Sequence, residues 1–214
     1  MLSFAVEQLA SLHFRVLSVI YPDRVPETPV IEEFLKKNGF TGKQLAWAEF
    51  LFDYSRFVPE WFFQDFKWPE GFQVFPWNEL SYGEALQIKM KHANQTVPGD
   101  VYPFAMDSPF DSLNSLGLRY NGEIIGWMIT QRLDPDTVCY AQLFIDFEFQ
   151  KKGYALFLLV EALRIHYKHQ VKWGLFKVNV MQSSSQWLKF IRFRLAPSAD
   201  FIYEHYQASL PLGI

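Results

Sequence analysis

The chain holds a single cysteine, Cys139, so no intrachain disulfide can form. Its place in the apolar run Val138-Cys-Tyr-Ala marks it as a small buried hydrophobe of a reducing compartment. An excess of basic residues is also missing. The 20 Lys and Arg stand against 23 Asp and Glu, and the net charge of −3 argues against a general nucleic-acid binder. No Cys/His cluster has metal-ligand spacing: His166 and His169 lie three apart with no other ligand type nearby, and they read as the solvated end of a helix. No metal is expected. The longest apolar run, Ala155 to Val160, falls far short of the ~18 residues a spanning helix needs, so no membrane segment is expected. The first residues lack a basic start, and Glu7 interrupts the apolar stretch, so no export signal is read and a cytoplasmic location is expected. Glycine is absent before Gly39, which leaves the front of the chain without a phosphate-binding loop.

What is present is a great deal of apolar and aromatic surface. Half of the 214 residues are hydrophobic and 18% are aromatic, a composition that fills a core, and the length suits one substantial domain or one and a half.

The most informative stretch is Leu143-Phe-Ile-Asp-Phe-Glu-Phe-Gln-Lys-Lys-Gly-Tyr-Ala-Leu156. An apolar strand ends near Ile145, a polar turn follows, and Gly153 opens a helix to about Tyr167. A strand, turn, glycine and helix in that order gather main-chain N–H groups at a helix N-terminus, where they favour an anion. Gly153 and the small Ala155 leave room for a phosphate, and Lys151 and Lys152 add positive charge. A plain strand-to-helix connection could use the same residues.

Along the rest of the chain, residues 1–12 are weakly amphipathic, and Phe14 to Tyr21 reads as a buried strand. A helix with Val30, Ile31, Phe34 and Leu35 follows from Thr28 and stops at Asn38-Gly39. Gln44 to Asp53 reads as a second strand. Residues 56–72 carry aromatics among prolines, the composition of a packed connection and not a flexible one. Phe72 to Pro76 reads as a strand, and a helix capped by Asn78 or Ser81 runs to about His92. Residues 93–111 are broken by prolines and dotted with Asp100, Asp107 and Asp111. Ser115 to Tyr120, Asn121-Gly122 and Glu123 to Arg132 spell a β-hairpin, with a third antiparallel strand from Val138 to Ile145. Gly174 to Met181 reads as a strand parallel to its predecessor, because a helix connects them. Ser183-Ser-Ser185 then caps a helix containing Trp187, Leu188, Ile191 and Leu195, and Phe201 to Tyr206 closes the sheet.

The segment Ile145-Asp-Phe-Glu-Phe-Gln-Lys-Lys-Gly-Tyr-Ala155 resembles the acetyl-CoA signature of the GNAT superfamily of N-acyltransferases. In that signature an Ile or Val ending the fourth strand precedes a short acidic–aromatic link and then Gln/Arg-x-x-Gly-x-Gly/Ala, here Gln150, Gly153 and Ala155. The order of elements over 72–210 matches as well, and Leu113-Asn-Ser-Leu-Gly-Leu-Arg-Tyr120 and Gly126-Trp-Met-Ile-Thr130 are similar to segments of uncharacterised bacterial GNAT proteins. Leu35-Lys-Lys-Asn-Gly-Phe40 resembles the element that closes the last helix of such a domain. The resemblance implies an α/β (α+β) GNAT acyl-CoA N-acyltransferase fold, a mixed central sheet flanked by helices, preceded by a half GNAT-like strand–helix–strand module. The implied division is a partial module at 1–58, a packed linker at 59–71 and the acetyltransferase domain at 72–214; an unrelated α/β cap at the front stays open.

By this resemblance acetyl-CoA is the acyl donor, bound by Leu143, Phe144 and Ile145 along a freed strand edge and by Gln150, Lys151, Lys152, Gly153, Tyr154 and Ala155 around its phosphates. Ser183 falls where the family often has an asparagine near the cofactor. The acceptor implied is a primary amine of a small molecule or peptide, with the 93–111 loop as its natural neighbour; no nucleic acid or membrane partner is implied, and a homodimer is one way to cover sheet edges. The sequence departs from the family at the general acid: seven residues after Ser183 stands Phe190, which has no proton to give. The catalytic residues are therefore unassigned, with Tyr140, Asp107 and Tyr203 as candidates by chemistry, beside His205, Tyr206, Asp111 and Glu148. Three readings follow: an acetyl-CoA-dependent N-acetyltransferase, an acyl-CoA-binding module with little or no catalysis, and an unrelated α/β protein.

Overall fold

The computed structural model describes residues 2–105 and 109–212. Eight strands form one mixed sheet. The chain begins with α1 (Leu2–Ser11), β1 (Val16–Pro22), α2 (Thr28–Lys37) and β2 (Thr41–Asp53). After an aromatic connection come β3 (Phe72–Pro76), α3 (Tyr82–Ala93), β4 (Leu116–Tyr120), β5 (Glu123–Asp134) and β6 (Thr137–Ile145). The last part is α4 (Tyr154–His169), β7 (Trp173–Asn179), α5 (Ser185–Phe190) and β8 (Phe201–Pro211). Across the sheet the order is β1-β8-β2-β7-β6-β5-β4-β3.

Local chemistry sets most of these elements. At the β4–β5 turn Asn121 and Gly122 both adopt positive φ, 48° and 85°, as a two-residue hairpin turn of this kind requires. Ser81 caps α3 in a full capping box, its hydroxyl accepting from the Glu84 amide while the Glu84 carboxylate accepts from the Ser81 amide. Of the two cap candidates Asn78 and Ser81, the structure uses Ser81. Proline in the first turn of α2 and Asn38-Gly39 after its end bound that helix, with Gly39 at φ 79°.

The strands from opposite ends of the chain interleave. β2 lies between β7 and β8, antiparallel to both, and β8 lies between β2 and β1. The units β1–α2–β2 and β7–α5–β8 are both strand–helix–strand. Exchanging β1 with β7 and β2 with β8 converts the order β1-β8-β2-β7 into its own reverse, so the two units are related by a pseudo-two-fold arrangement. Because β8 is flanked on both sides it runs to Pro211, beyond the Phe201–Tyr206 expected from alternation alone.

One face of the sheet carries α4 together with Phe57, Trp61, Phe62, Ile191 and Leu195. Trp61 in the connection donates its indole N–H to the Arg194 carbonyl at 3.0 Å, and Phe66 stacks on Phe157 of α4 with centroids 4.2 Å apart. The other face, over β3–β6, is packed by Ile88 of α3 with Phe75, Trp77, Trp127 and Phe144. A smaller cluster seats α2 on β1 and β8 through Tyr21, Leu35, Phe40 and Ala208.

Two expectations are corrected. His166 is not at a solvated helix end: it is 1% exposed beneath the sheet, because α4 turns that side chain onto Tyr140 of β6. The final helix does not run evenly to Leu195. It leaves α-geometry after Phe190 through one π-helical turn, Ile191–Leu195, and a 3-10 turn, Ala196–Ser198, as the Ala196-Pro197 pair forbids a regular continuation.

Candidate functional site

β6 and β7 are paired in parallel, and the pairing stops early. The register runs from Thr137 opposite Trp173 to Tyr140 opposite Phe176, and there it ends. Beyond it β6 continues to Ile145, bonded only to β5, and β7 continues to Asn179, bonded only to β2. A shift in the β5–β6 register leaves Ala141 as an extra residue, with Thr130 opposite Tyr140 and Ile129 opposite Gln142. A bulge of this kind bends the strand that contains it. The result is a wedge open toward the C-terminal ends of the two strands, with the β6 edge from Ala141 to Ile145 lacking a strand partner among the described residues. Such an edge offers main-chain donors and acceptors to an extended ligand.

The predicted anion loop lies at the mouth of this wedge. After Ile145, residues Phe147–Lys152 form a 3-10 helix that ends on Gly153, whose φ of 80° is left-handed. An added Cβ at Gly153 would find Phe157 Cε1 at 3.8 Å, so the constraint is the backbone conformation and not space. Gly153 opens α4, which has neither a side-chain cap nor an acidic residue in its first turn. The Leu156 and Phe157 amides fold back to the Gly153 carbonyl at 3.0 and 3.2 Å. Those of Tyr154 and Ala155 precede the first bond of the helix, and with the helix dipole they favour an anion.

Each predicted residue of this loop has a defined place. Gln150 donates its side-chain amide to the Ile145 carbonyl at 2.8 Å, tying the loop to the strand end. Lys151 lies within the 3-10 helix and Lys152 is exposed beside it. Tyr154 is buried against Phe72 and Trp68, with centroids 4.4 and 5.8 Å away, and anchors the start of α4. Ala155 is half-buried against the same core, as is Leu143. Phe144 stacks on Trp127 at 4.5 Å on one face of the sheet, and Ile145 is buried on the other. Asp146, at the start of the loop, meets Lys91 of α3 at 2.5 Å, and burial pushes its carboxyl up while the lysine opposes this. On the second arm of the wedge the Ser183 amide donates to the Asn179 carbonyl at 3.1 Å, and Ser184 is the residue that caps α5.

Tyr140, Glu148 and Tyr203, candidates for acid–base chemistry, stand on different elements. Tyr140 is fully enclosed. Val171 can only accept at its carbonyl, so His166 Nε2, 2.8 Å away, carries the proton, and His166 Nδ1 accepts from the Tyr140 hydroxyl at 3.0 Å. The Asn114 amide donates to the same hydroxyl at 3.4 Å and its oxygen accepts from Thr130 at 2.7 Å. Burial pushes the Tyr140 hydroxyl well above its ordinary 10.0 and holds His166 below 6.5. This is a structural polar chain across the core. Asp111 is engaged by the Arg132 guanidinium at 2.7 Å, Glu148 is exposed, and Asp107 lies outside the described residues. Phe190 packs between Trp61 and Trp187, with centroids 5.4 and 5.1 Å away. Tyr203 projects half-exposed from β8 on the face opposite α4, directly across from Glu49 of β2.

That face holds what the sequence reading missed. A concavity of about 180 Å³ is lined by Ile20, Trp47, Glu49, Lys177 and His205. Lys177 is the first residue of β7 past the end of the β6 pairing, and Glu49 is its direct partner on β2. Lys177, standing where the β6 pairing has just ended, places one side of the concavity beside the wedge. Its polar residues come from three distant segments, and only their alternation within each strand was available to signal a common face.

No protein-family model matches this chain, and no curated protein is similar to it. Solved structures are similar in fold. A GCN5-related N-acetyltransferase from Sphaerobacter thermophilus superposes with a TM-score of 0.58 at 13% identity over 100% of this chain and 68% of the other. A tandem GNAT protein from the clavulanic acid biosynthesis pathway gives 0.59 at 11% identity, over 99% and 69%. A GCN5-related N-acetyltransferase from Kribbella flavida gives 0.53 at 12%, over 96% and 73%. At these identities the similarity establishes the fold.

Proposed function

We propose that this GNAT-fold chain is an acyltransferase that moves an acetyl group from acetyl-CoA to a primary amine by direct attack in a ternary complex. The observation that carries the reading is the wedge between β6 and β7 with the uncapped N-terminus of α4 at its mouth. The main-chain amides at Tyr154 and Ala155, with Lys152 nearby, suit the pyrophosphate. The free β6 edge suits the amide-bearing pantetheine arm as an added strand. In the transfer the amine nitrogen attacks the thioester carbonyl carbon. An acceptor that arrives as an ammonium first gives one proton to solvent; a C–N bond then forms, the C–S bond breaks with its electron pair going to sulfur, and the nitrogen's one surplus proton goes to the thiolate. A main-chain N–H at the strand edge would stabilise the developing oxyanion.

The same proposal treats residues 1–58 as the second half of a GNAT unit, 59–71 as its packed connection and 72–214 as the complete unit. The interleaved β1–α2–β2 and β7–α5–β8 units support that division. A reading with acyl-CoA binding and little catalysis is favoured by Phe190, whose place between two tryptophans provides no proton for the departing thiolate. Loss of such a group typically costs ~10²–10⁴-fold in rate.

Calorimetric titration with coenzyme A tests the binding, and release of free CoA from acetyl-CoA over an amine panel tests the transfer. Gly153→Val forces an L side chain into a left-handed conformation at the anion loop and is expected to weaken CoA binding at least tenfold. Absence of binding to the wild type, or unchanged affinity in the variant, would overturn the donor site. Binding without CoA release on any amine would select the non-catalytic reading.

A further inference from the structure

We infer that the concavity between β1, β8, β2 and β7 is a binding site for a small amine that also carries a carboxylate, an α-amino acid by chemical class. Three groups of opposite and complementary character converge there without joining in a hydrogen bond. Glu49 Oε1 is 3.6 Å from Lys177 Nζ, and Glu49 Oε2 is 3.7 Å from His205 Nε2. Both separations exceed hydrogen-bond length. His205 Nε2 is shielded from solvent and has no hydrogen-bond partner among the described residues. A buried polar nitrogen left unpaired is costly, and a turn of the imidazole that opens Nε2 to the concavity would let a ligand oxygen satisfy it.

The arrangement defines the ligand. A lone anion would meet the Glu49 carboxylate, and a lone cation would meet the Lys177 ammonium. A zwitterion satisfies both: its ammonium lies on Glu49 and its carboxylate on Lys177 and His205. Trp47 and Ile20 give the site an apolar wall, with the Lys177 ammonium already 5.4 Å from the Trp47 ring centroid. The volume, about 180 Å³, lies below the ~300–1,000 Å³ of pockets for drug-sized ligands and suits a smaller molecule.

The position joins this site to the wedge. Lys177 directly follows the last β6–β7 pair, and Glu49 is one strand spacing, ~4.8 Å, further across the sheet. On the acyl-transfer reading, on which this part rests, the amino acid is the acceptor and Glu49 holds its amino group beside the wedge, the ammonium losing one proton to solvent before its nitrogen attacks. The binding itself stands independently of that reading.

The test uses L-leucine as probe, with isoamylamine lacking the carboxylate and 4-methylpentanoate lacking the amine. Each is titrated calorimetrically into the full chain without coenzyme A. L-leucine is expected to bind at least tenfold more tightly than either analogue. Lys177→Met is expected to abolish the advantage over the amine, and Glu49→Gln the advantage over the acid, with thermal melts showing both variants folded. Equal binding of all three probes, no binding of L-leucine, or unchanged preference in both folded variants would overturn the assignment. Coenzyme A titrated separately into wild type and variants keeps the readings distinct: lost CoA binding counts against acyl transfer, and lost amino-acid preference against this site.

Discussion

At the scale of single residues, environment decides what a titratable side chain does. His166 and Tyr140 have the functional groups of a general acid or base, yet both are sealed in the core and bonded to each other. Because burial holds folded His166 below 6.5, the unfolded chain binds more protons than the folded chain just below that pH. Stability is therefore expected to fall as pH drops through about 6.5, its ordinary value. Urea midpoints at pH 7.5 and 5.5 should show a smaller drop for His166→Gln than for the wild type; equal drops would contradict this account. Gly153 shows the complementary case. Its place between the strand and the helix was legible from the sequence, but the reason for glycine there is the left-handed backbone and not the space read for a phosphate, whereas the burial of His166 depends on where β6 lies.

Among elements, α3 is tied down by a polar cluster that joins its capping box to the sheet. Glu84 accepts from Ser81 and from Arg119 of β4, whose guanidinium also lies 3.5 Å over the Phe75 ring. The Arg119 hydrogen bond, aided by the Ser81 bonds, holds the Glu84 carboxyl at about 2, against an ordinary 4.5. A depressed carboxylate contributes stability above its unfolded value and loses it as pH falls toward its folded value. Glu84→Gln is expected to cost about 1–3 kcal/mol at neutral pH in urea unfolding. The gap to the wild type should narrow as pH falls from 4.5 toward 2. A gap of constant size across that range would mean that the charge contributes nothing. The serine cap itself was readable from the spacing Ser81 to Glu84, but the arginine that completes the cluster comes from a strand 35 residues on.

For the whole molecule, the interleaving of β1 and β2 with β7 and β8 means that the front of the chain is part of the central sheet. Removing residues 1–58 would take β2 from between β7 and β8 and strip Ala48, Phe50, Phe52 and Phe57 from the main core. The truncated chain is expected to be insoluble or to lack a cooperative thermal transition by circular dichroism, since both edges of β8, one edge of β7 and a large apolar surface would be exposed. A soluble fragment melting as sharply as the intact chain would show that β2 is dispensable. No helix among the described residues is long and apolar enough to cross a membrane.

The sequence by itself determined most of the elements, the Asn121-Gly122 hairpin, the parallel step from β6 to β7 and the turn at Gly153 that opens α4. Each depends on residues within a turn or two of one another, where periodicity and backbone preference act directly. Only the tertiary structure decided that β2 would separate β7 from β8, that His166 would be buried, and that Glu49, Lys177 and His205 would share one concavity. Strand order depends on which edges meet after collapse. That is a competition among distant apolar faces, and alternation within one strand shows which side is apolar without saying which neighbour will cover it.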